Sequence, residues 1–492
     1  MAHEKAHKLD QGLASRISVD QLAALLGLWN TGPGPLYHQL SAAIGTLVET
    51  GRLRHGVLLP PERSLASTLT VSRGTVVSAY TRLAEQGLVA RRRGSGTRVT
   101  SAPQAPPGSA DRVGDRLLEV HADAIDLLMA MPRMLPRVLE TVSAVDLGEH
   151  ASLLDEVDAA GLMPVRRRVA ELVTVEGLPT TADQILITSG AQQALSLAIR
   201  LLVGPGDVVA CEEATWPGLI DTVTGVGGRI RPVRVDQDGV ILSDLRQALV
   251  HDRPVAVALS PYHHNPTGSF LPAGRRSQLL ALVDEFEVAL VEDRVMARLG
   301  IEAGDPRPLL ADATPAAAAR GVVVDSLSKV SWPGLRAGWI RANAQAIDEF
   351  RRLRFMLDLY SAIHSQLALV GVIDRLDLIM ADRADQLRRG RDVLLAAVRE
   401  TLPEWRVRKP RGGLVLWAEL PEPMAEEFCG HAARHGVLVA SGRQFGLTDN
   451  RHVRLPFTTT EPQLLQAVHR LGTAWSSFEP APVPAGHRPF AL

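Results

Sequence analysis

The chain has 492 residues, 46% of them hydrophobic and 22% charged, with a net charge of −1. That is too long for one ordinary core and well balanced for folded globular units, so two or three domains are expected. Two cysteines, Cys211 and Cys429, do not make a disulfide framework, and no uninterrupted apolar run is long enough to cross a bilayer. The first ten residues are polar and have no apolar signal core behind them, so a cytoplasmic protein is expected.

Residues 16–30 read as a short helix. From Pro35 to about Thr50, Leu36, Leu40, Ile44 and Leu47 recur at helical spacing, and Gly51 ends that helix. A turn (HGVLLPP) leads into a short helix over Glu62–Leu69, broken at Thr70–Ser72. A further helix runs from Arg73 to about Gln86 and stops at Gly87. Two short strands, LVARRR and TRVT, follow on either side of a GSG turn. In the helix that starts at Arg73, Val76, Tyr80 and Leu83 share one face and should pack inward, which leaves Arg73, Thr75, Ser78 and Arg82 away from it.

Charge is unevenly spread. Between Pro33 and Thr100 nine arginines face three glutamates, so this segment calls for an anionic partner that the neutral chain as a whole does not. A helix in a DNA major groove can use Arg73 and Thr75 at its start, and a basic hairpin carrying Arg91, Arg92 and Arg93 can neutralise phosphates. The run LPPERSLASTLTVSRGTVVSAYTRLAEQGLVARRRGSGTRV resembles the winged helix of the GntR superfamily. The resemblance implies an α+β winged helix-turn-helix over 16–100 that binds double-stranded operator DNA through Arg63, Ser72, Arg73, Thr75, Arg91, Arg92, Arg93 and Gly96.

Residues 101–116 are read as a linker, because 101–114 carry proline, glycine and serine with little apolar content. Beyond 117 the texture changes. Apolar runs (VVAC, VAVALS, VALVED, GVVVDS) alternate with helix-length amphipathic stretches, the pattern of a mostly parallel sheet covered by helices. From about Ala346 long helices and then strands (LVLWAEL, GVLVA, HVRLPF) suggest a smaller subdomain. The α/β unit is expected over 117–475, with a flexible tail at 476–492.

Several positions in this second unit carry chemistry. Lys329 is one of only four lysines among 53 basic residues, and it follows the apolar strand VVVDS. Arginine cannot be deprotonated in a protein, so an interior lysine in so arginine-rich a chain suggests amine chemistry. Asp293 ends the apolar strand VALVED, where a carboxylate is costly without a cationic partner. Asn265, in HHNPTG, can donate from its amide, although Asn-Pro and Thr-Gly also simply mark a turn. Trp216 can stack on a flat ring or pack in a core. Ser189 to Gln193 open a helix after the strand QILIT, where backbone N–H groups can hold a phosphate or form an ordinary loop. Arg454, in HVRLPF, can grip a carboxylate or form an internal ion pair.

Together these residues resemble the fold-type I enzymes that use pyridoxal 5′-phosphate (PLP), the aspartate aminotransferase class, from about Ile125 to Trp475. The resemblance implies large and small subdomains, a Schiff base between Lys329 and PLP, Asp293 on the pyridine nitrogen and Asn265 on the phenolic oxygen. It implies Trp216 against the ring, where tyrosine is more usual, and Gly190, Ala191, Gln192, Ser326, Ser328 and Arg336 about the phosphate. Arg454 takes an effector carboxylate, and no metal is implied. A winged helix joined to such a unit is similar to the MocR regulators of the GntR superfamily, which implies a head-to-tail homodimer responding to PLP or to an amino-acid-like or amine effector. One departure stands out: Val295 and Met296 occupy the positions where the family has a tyrosine on the phenolic oxygen. A working aminotransferase, and a dimerisation platform that has lost its cofactor, are the alternative readings.

Overall fold

In the computed structural model the described residues are 17–26, 29–30, 34–49, 53, 57–85, 88–92, 96–99, 124–153, 155 and 158–479. The chain divides into two units, Met1–Asp111 and Arg112–Leu492. Gln86, Gly87, Arg93, the first two residues of the GSG turn, the linker at 101–116 and the tail beyond 479 lie outside the described residues. Among the described residues no helix is long and apolar enough to cross a membrane.

The first unit contains α1 (Val19–Leu26), α2 (Leu36–Glu49), α3 (Glu62–Thr68) and α4 (Arg73–Glu85). The hairpin β1 (Val89–Arg92) and β2 (Gly96–Val99) completes it. Leu40 and Ile44 of α2 and Val76, Tyr80 and Leu83 of α4 are all fully buried in one core, so the apolar stripe read from α4 does face inward. Such a stripe is what holds so short a helix in place, because isolated helices of this length are marginal in water. The buried Tyr80 hydroxyl donates to the Pro60 carbonyl at 3.0 Å. Leu58 bridges to Arg98, so a third extended segment lies beside the hairpin.

The second unit is built on a seven-stranded sheet. Its strands are β3 (Ile185–Thr188), β4 (Val208–Glu212), β5 (Arg229–Val233), β6 (Ala256–Leu259), β7 (Ala289–Asp293), β8 (Gly321–Asp325) and β9 (Gly338–Arg341). They lie in the order β3-β9-β8-β7-β6-β4-β5, and only β9 runs antiparallel to its neighbours. The strands β3, β6 and β8 are buried along their whole length, as the continuous apolar runs require for a sheet covered on both faces. The helices α5 (Met163–Val175), α6 (Ala191–Leu202) and α7 (Ala273–Glu285) pack about it.

After α8 (Ala344–Leu357) and the 26-residue α9 (Leu376–Thr401), a second sheet forms from β10 (Arg406–Val407), β11 (Val415–Glu419), β12 (Ala440–Ser441) and β13 (His452–Pro456). Its order is β10-β11-β13-β12 and every pair is antiparallel. Helix α10 (Glu461–Ser476) closes the unit, packing on α9. Parallel strands direct their C-terminal ends to one edge, and that edge is where open α/β sheets bind ligands.

Candidate cofactor site and nucleic-acid interface

A cavity of about 250 Å3 opens at the C-terminal ends of the parallel strands. Asp293 is the last residue of β7 and Ser326, Ser328 and Lys329 follow β8, which pairs with β7 in parallel. Both strands therefore deliver their polar residues to the same edge. All four residues line the cavity, with Trp216, Asn265, Ala191, Gln192, Arg336 and Arg454. Gly190 immediately precedes Ala191, so every cofactor residue expected from the sequence falls in or beside one cavity.

The Lys329 amine is half-buried and donates to the Ala130 carbonyl at 3.0 Å. Loss of solvation, reinforced by the Arg454 charge and opposed by Asp293, lowers its pKa to about 8. About a tenth of the amine is then unprotonated at pH 7, far more than for an ordinary lysine. Asp293 accepts the Val295 amide at 2.9 Å, and burial raises its pKa to about 6. Among the described residues no arginine, lysine or histidine reaches its carboxylate in an ion pair. Its neighbour Glu292 behaves differently, pairing with Arg294 at 3.4 Å.

The start of α6 also lines the cavity, through Ala191 and Gln192. Gly190 caps that helix with φ +98°, and no side chain caps its first turn. The helix therefore presents unspent N–H groups and the positive end of its dipole. A Cβ at Gly190 would lie 3.3 Å from the Arg336 guanidinium, and one at Gly338 would meet the backbone of Asp325, Gly190 and Ala191 at 2.7 to 3.0 Å. Glycine at both positions lets β9, the helix start and Arg336 close together. Arg336 donates to the Ser189 carbonyl at 2.6 Å. Ser326 commits its hydroxyl proton to the Ala337 carbonyl and accepts the Ser328 amide, so it supports Ser328 rather than offering a spare donor.

Trp216 donates its indole N–H to Gln192 at 2.7 Å, which ties the ring to the first turn of α6. A partly buried indole is held by such a partner, whereas a tyrosine at this place would not need this one. Arg454 is 2% exposed on β13. It donates to Asn265 Oδ1 at 3.2 Å and to the Leu128 carbonyl, and stands 4.7 Å over the Phe445 ring, while its Nε has no partner. No carboxylate lies within 4.0 Å of it among the described residues, so the internal ion pair is not formed. Burial lowers its pKa to about 10, partly offset by Asp126.

In the first unit Arg63 and Arg73 are exposed. Arg73 stands 3.7 Å from Glu62, and Ser72 caps α4 by accepting the Thr75 amide at 3.0 Å. Ser72 and Thr75 also share a hydroxyl contact of 2.9 Å, so the helix start at Arg73 is held by its own cap. Gly96 opens β2 with φ +85°. Arg91 and Arg92 lie on β1, in register with Thr97 and Gly96 of β2.

The aminotransferase class I and II family profile matches residues 130–471, and the profile of bacterial regulatory proteins of the gntR family matches 36–99. The chain belongs to the aminotransferase class I and II family. The GntR domain in front of it makes the arrangement MocR-type. A curated relative, the uncharacterized HTH-type transcriptional regulator YjiR of Escherichia coli, is 29% identical over 83% of this chain and 91% of its own length. The HTH-type pyridoxine biosynthesis transcriptional regulator PdxR of Corynebacterium glutamicum is 28% identical over 80% of this chain and 85% of its own. Among solved structures, the alpha-aminoadipate aminotransferase LysN of Thermus thermophilus, in complex with N-(5′-phosphopyridoxyl)-L-leucine, superposes with a TM-score of 0.69. It is 25% identical, over 75% of this chain and 95% of that one.

The aminotransferase-like unit also contains a buried ion network that the sequence reading did not single out. Arg298 donates to Glu176 at 2.6 and 2.9 Å and to Asp325, the last residue of β8, through two 2.9 Å bonds. Arg294 joins the same network through Glu176 and Glu292. Both arginines sit in EDRVMAR, directly after an apolar strand, and two cations in that place were a readable signal. The carbonyls of Leu128 and Ala130, which receive Arg454 and Lys329, gave no signal at all.

Proposed function

We propose that the protein is a transcriptional regulator that binds operator DNA through its winged helix and uses PLP in the aminotransferase-like unit to govern that binding. The observation that carries the cofactor reading is the pairing of a Lys329 amine of depressed pKa with an Asp293 carboxylate that has no cationic partner among the described residues, in one cavity. Buried carboxylates are paired as a rule, and a protonated pyridine nitrogen is the missing partner. PLP, when bound, supplies an aldehyde that links to an amine and a ring that draws electrons away from it.

This chain's residues divide the work of holding it. Lys329 would hold it covalently, and Asp293 would keep the ring nitrogen charged. Asn265 has its Oδ1 occupied by Arg454, so its NH2 would be the group left to donate to the phenolic oxygen. Trp216 would cover one ring face. The amides at Gly190, Ala191 and Gln192, with Ser328 and Arg336, would hold the phosphate, and Arg454 would take the carboxylate of an effector. Val295 and Met296 cannot supply the phenol usual in the enzymes, which supports a regulatory rather than a catalytic role. The apolar run that includes Phe355 and Met356, 63% and 77% exposed, supports burial of this face against a second copy in a homodimer.

The test is the visible absorption spectrum of the full chain with PLP beside that of Lys329→Ala. A band in the wild type that is missing from the variant is expected, with no measurable turnover of an amino donor and a keto acid. Identical spectra would overturn the cofactor reading, and steady turnover would replace the regulator by an enzyme.

A further inference from the structure

The two groups that would orient an effector are bracketed by one short stretch of chain. Arg454 donates to the carbonyl of Leu128, and the Lys329 amine donates to that of Ala130, two residues on. The side chains next to these carbonyls, Met129 and Met131, both line the cavity. Met129 is half-buried between the two anchors and Met131, 41% exposed, stands at the rim. Met296, 5% exposed, and Val295 also line the cavity. A ligand with its carboxylate on Arg454 and its amine toward Lys329 therefore meets thioether and aliphatic surface with the rest of its body.

Charge restricts the ligand further. Among the described residues that line the cavity, the cations are Lys329, Arg336 and Arg454. Lys329 is committed to the cofactor, and Arg336 is held by the Ser189 carbonyl beside the start of α6, where it would serve the phosphate. A second carboxylate on the ligand would be desolvated with no partner, a cost of several kcal/mol for a charge left unpaired. A cationic side chain would have only Glu212 and Asp293 to meet. Asp293 serves the ring, whereas Glu212 accepts the Ser260 amide through Oε1 at 2.7 Å and keeps a buried Oε2 with no hydrogen-bond partner, so Glu212 does not rule out a basic side chain. Methionine is unbranched and polarizable and fits apolar groups of varied shape.

We infer that the effector is an amino acid with a single carboxylate and an aliphatic or thioether side chain, which packs on the Met129–Met131 wall while Arg454 holds the carboxylate. This rests on the reading of the cavity as a PLP site. Dicarboxylic amino acids are excluded by the absence of a second partner cation among the described lining residues, and glycine is weak because it leaves the wall uncovered.

The experiment uses the PLP-loaded full chain and two readouts, the visible band and calorimetric binding. The probes are glycine, alanine, 2-aminobutyrate, norvaline, leucine and methionine, against aspartate, glutamate and lysine. Affinity should rise about fourfold for each added methylene, as burial of about 0.8 kcal/mol per CH2 requires. Aspartate and glutamate should bind at least tenfold more weakly than norvaline. A flat series, a preference for a charged side chain, or no response to any amino acid while the band is present would overturn the inference. Absence of the band before any amino acid is added would instead mean that the PLP reading itself is wrong. Met131→Arg, at the exposed rim where a charge is tolerated, should improve aspartate or glutamate binding at least tenfold. No gain would show that the ligand's side chain does not lie along this wall.

Discussion

Asn265 Oδ1 accepts a hydrogen bond from Arg454 Nη1 at 3.2 Å. The bond joins a loop at the edge of the seven-stranded sheet to a strand of the four-stranded sheet, 189 residues later in the chain. It also decides the orientation of the asparagine amide, since only the oxygen can accept from a guanidinium. The group that would grip an effector carboxylate and the group that would touch the cofactor's phenolic oxygen are thus bonded neighbours.

Arg454→Met should abolish the response to amino acids and spare the cofactor. A bidentate charge-assisted pair removed on one side costs about 2–5 kcal/mol, so affinity for a responsive amino acid should fall at least 30-fold. The PLP band should persist, because Lys329, Asp293 and the phosphate donors are untouched. Amino-acid titration of the variant checks both points.

The rate at which the apoprotein captures PLP should follow the free amine of Lys329. With its pKa lowered to about 8, chiefly by burial, the rate should rise about tenfold per pH unit below pH 8 and level off above it. A rate that kept climbing to pH 10 would mean that the lysine is ordinary. The linkage has a matching sign. The folded state holds the proton less tightly than the unfolded state, so Lys329 costs the apoprotein stability below about pH 8, and that cost fades as pH rises toward 10.5. Lys329→Met should accordingly raise the apoprotein melting temperature at pH 7 and leave it nearly unchanged at pH 10.5.

Arg298→Met should destabilise the aminotransferase-like unit by about 1–3 kcal/mol, since it removes the closer bonds to Glu176 and the buried Asp325 and leaves Arg294, at 3.1 and 3.7 Å, to pair with both. Asp325 already raises the Asp293 pKa. Removing the nearer of the two arginines on Asp325 should raise it further and weaken PLP binding as well as folding. Denaturant titration of the apoprotein, followed by PLP titration of what remains folded, separates the two effects.

Arg73→Ala should cost operator affinity and little else. Its contact with Glu62 at 3.7 Å is exposed, and such pairs contribute about 0–1 kcal/mol. A side chain reading a base edge contributes about 1–3 kcal/mol of discrimination. Specific binding should fall about tenfold or more with an unchanged melting temperature and an unchanged PLP spectrum. Equal operator binding by the variant would remove α4 from the role of recognition helix.

Much of this molecule was legible in its sequence because the signals were local. The buried stripe Val76, Tyr80, Leu83 follows from helical spacing within a single element, and β6, β7 and β8 follow from uninterrupted apolar runs. Lys329 was marked by its rarity, and Asp293 by its place at the end of such a run. What the sequence did not disclose joins distant segments. Lys329 and Ala130 are 199 residues apart, Arg454 and Leu128 are 326, and Arg298 and Glu176 are 122. A carbonyl that receives a side chain carries no identity in a sequence, and ion pairs across such spans leave no periodicity. The double use of Gln192, expected beside the phosphate yet bonded to the Trp216 indole, likewise emerges only when both elements are in place.

The central claim is that PLP on Lys329 governs DNA binding. The most direct measurement is footprinting and affinity for an operator, selected from random duplex by the purified full chain, with and without PLP, for the wild type and for Lys329→Ala. The wild type should show a PLP-dependent change in footprint or affinity, and the variant should bind the same operator with no such change. An unchanged wild type, or a variant that responds equally, would contradict the account.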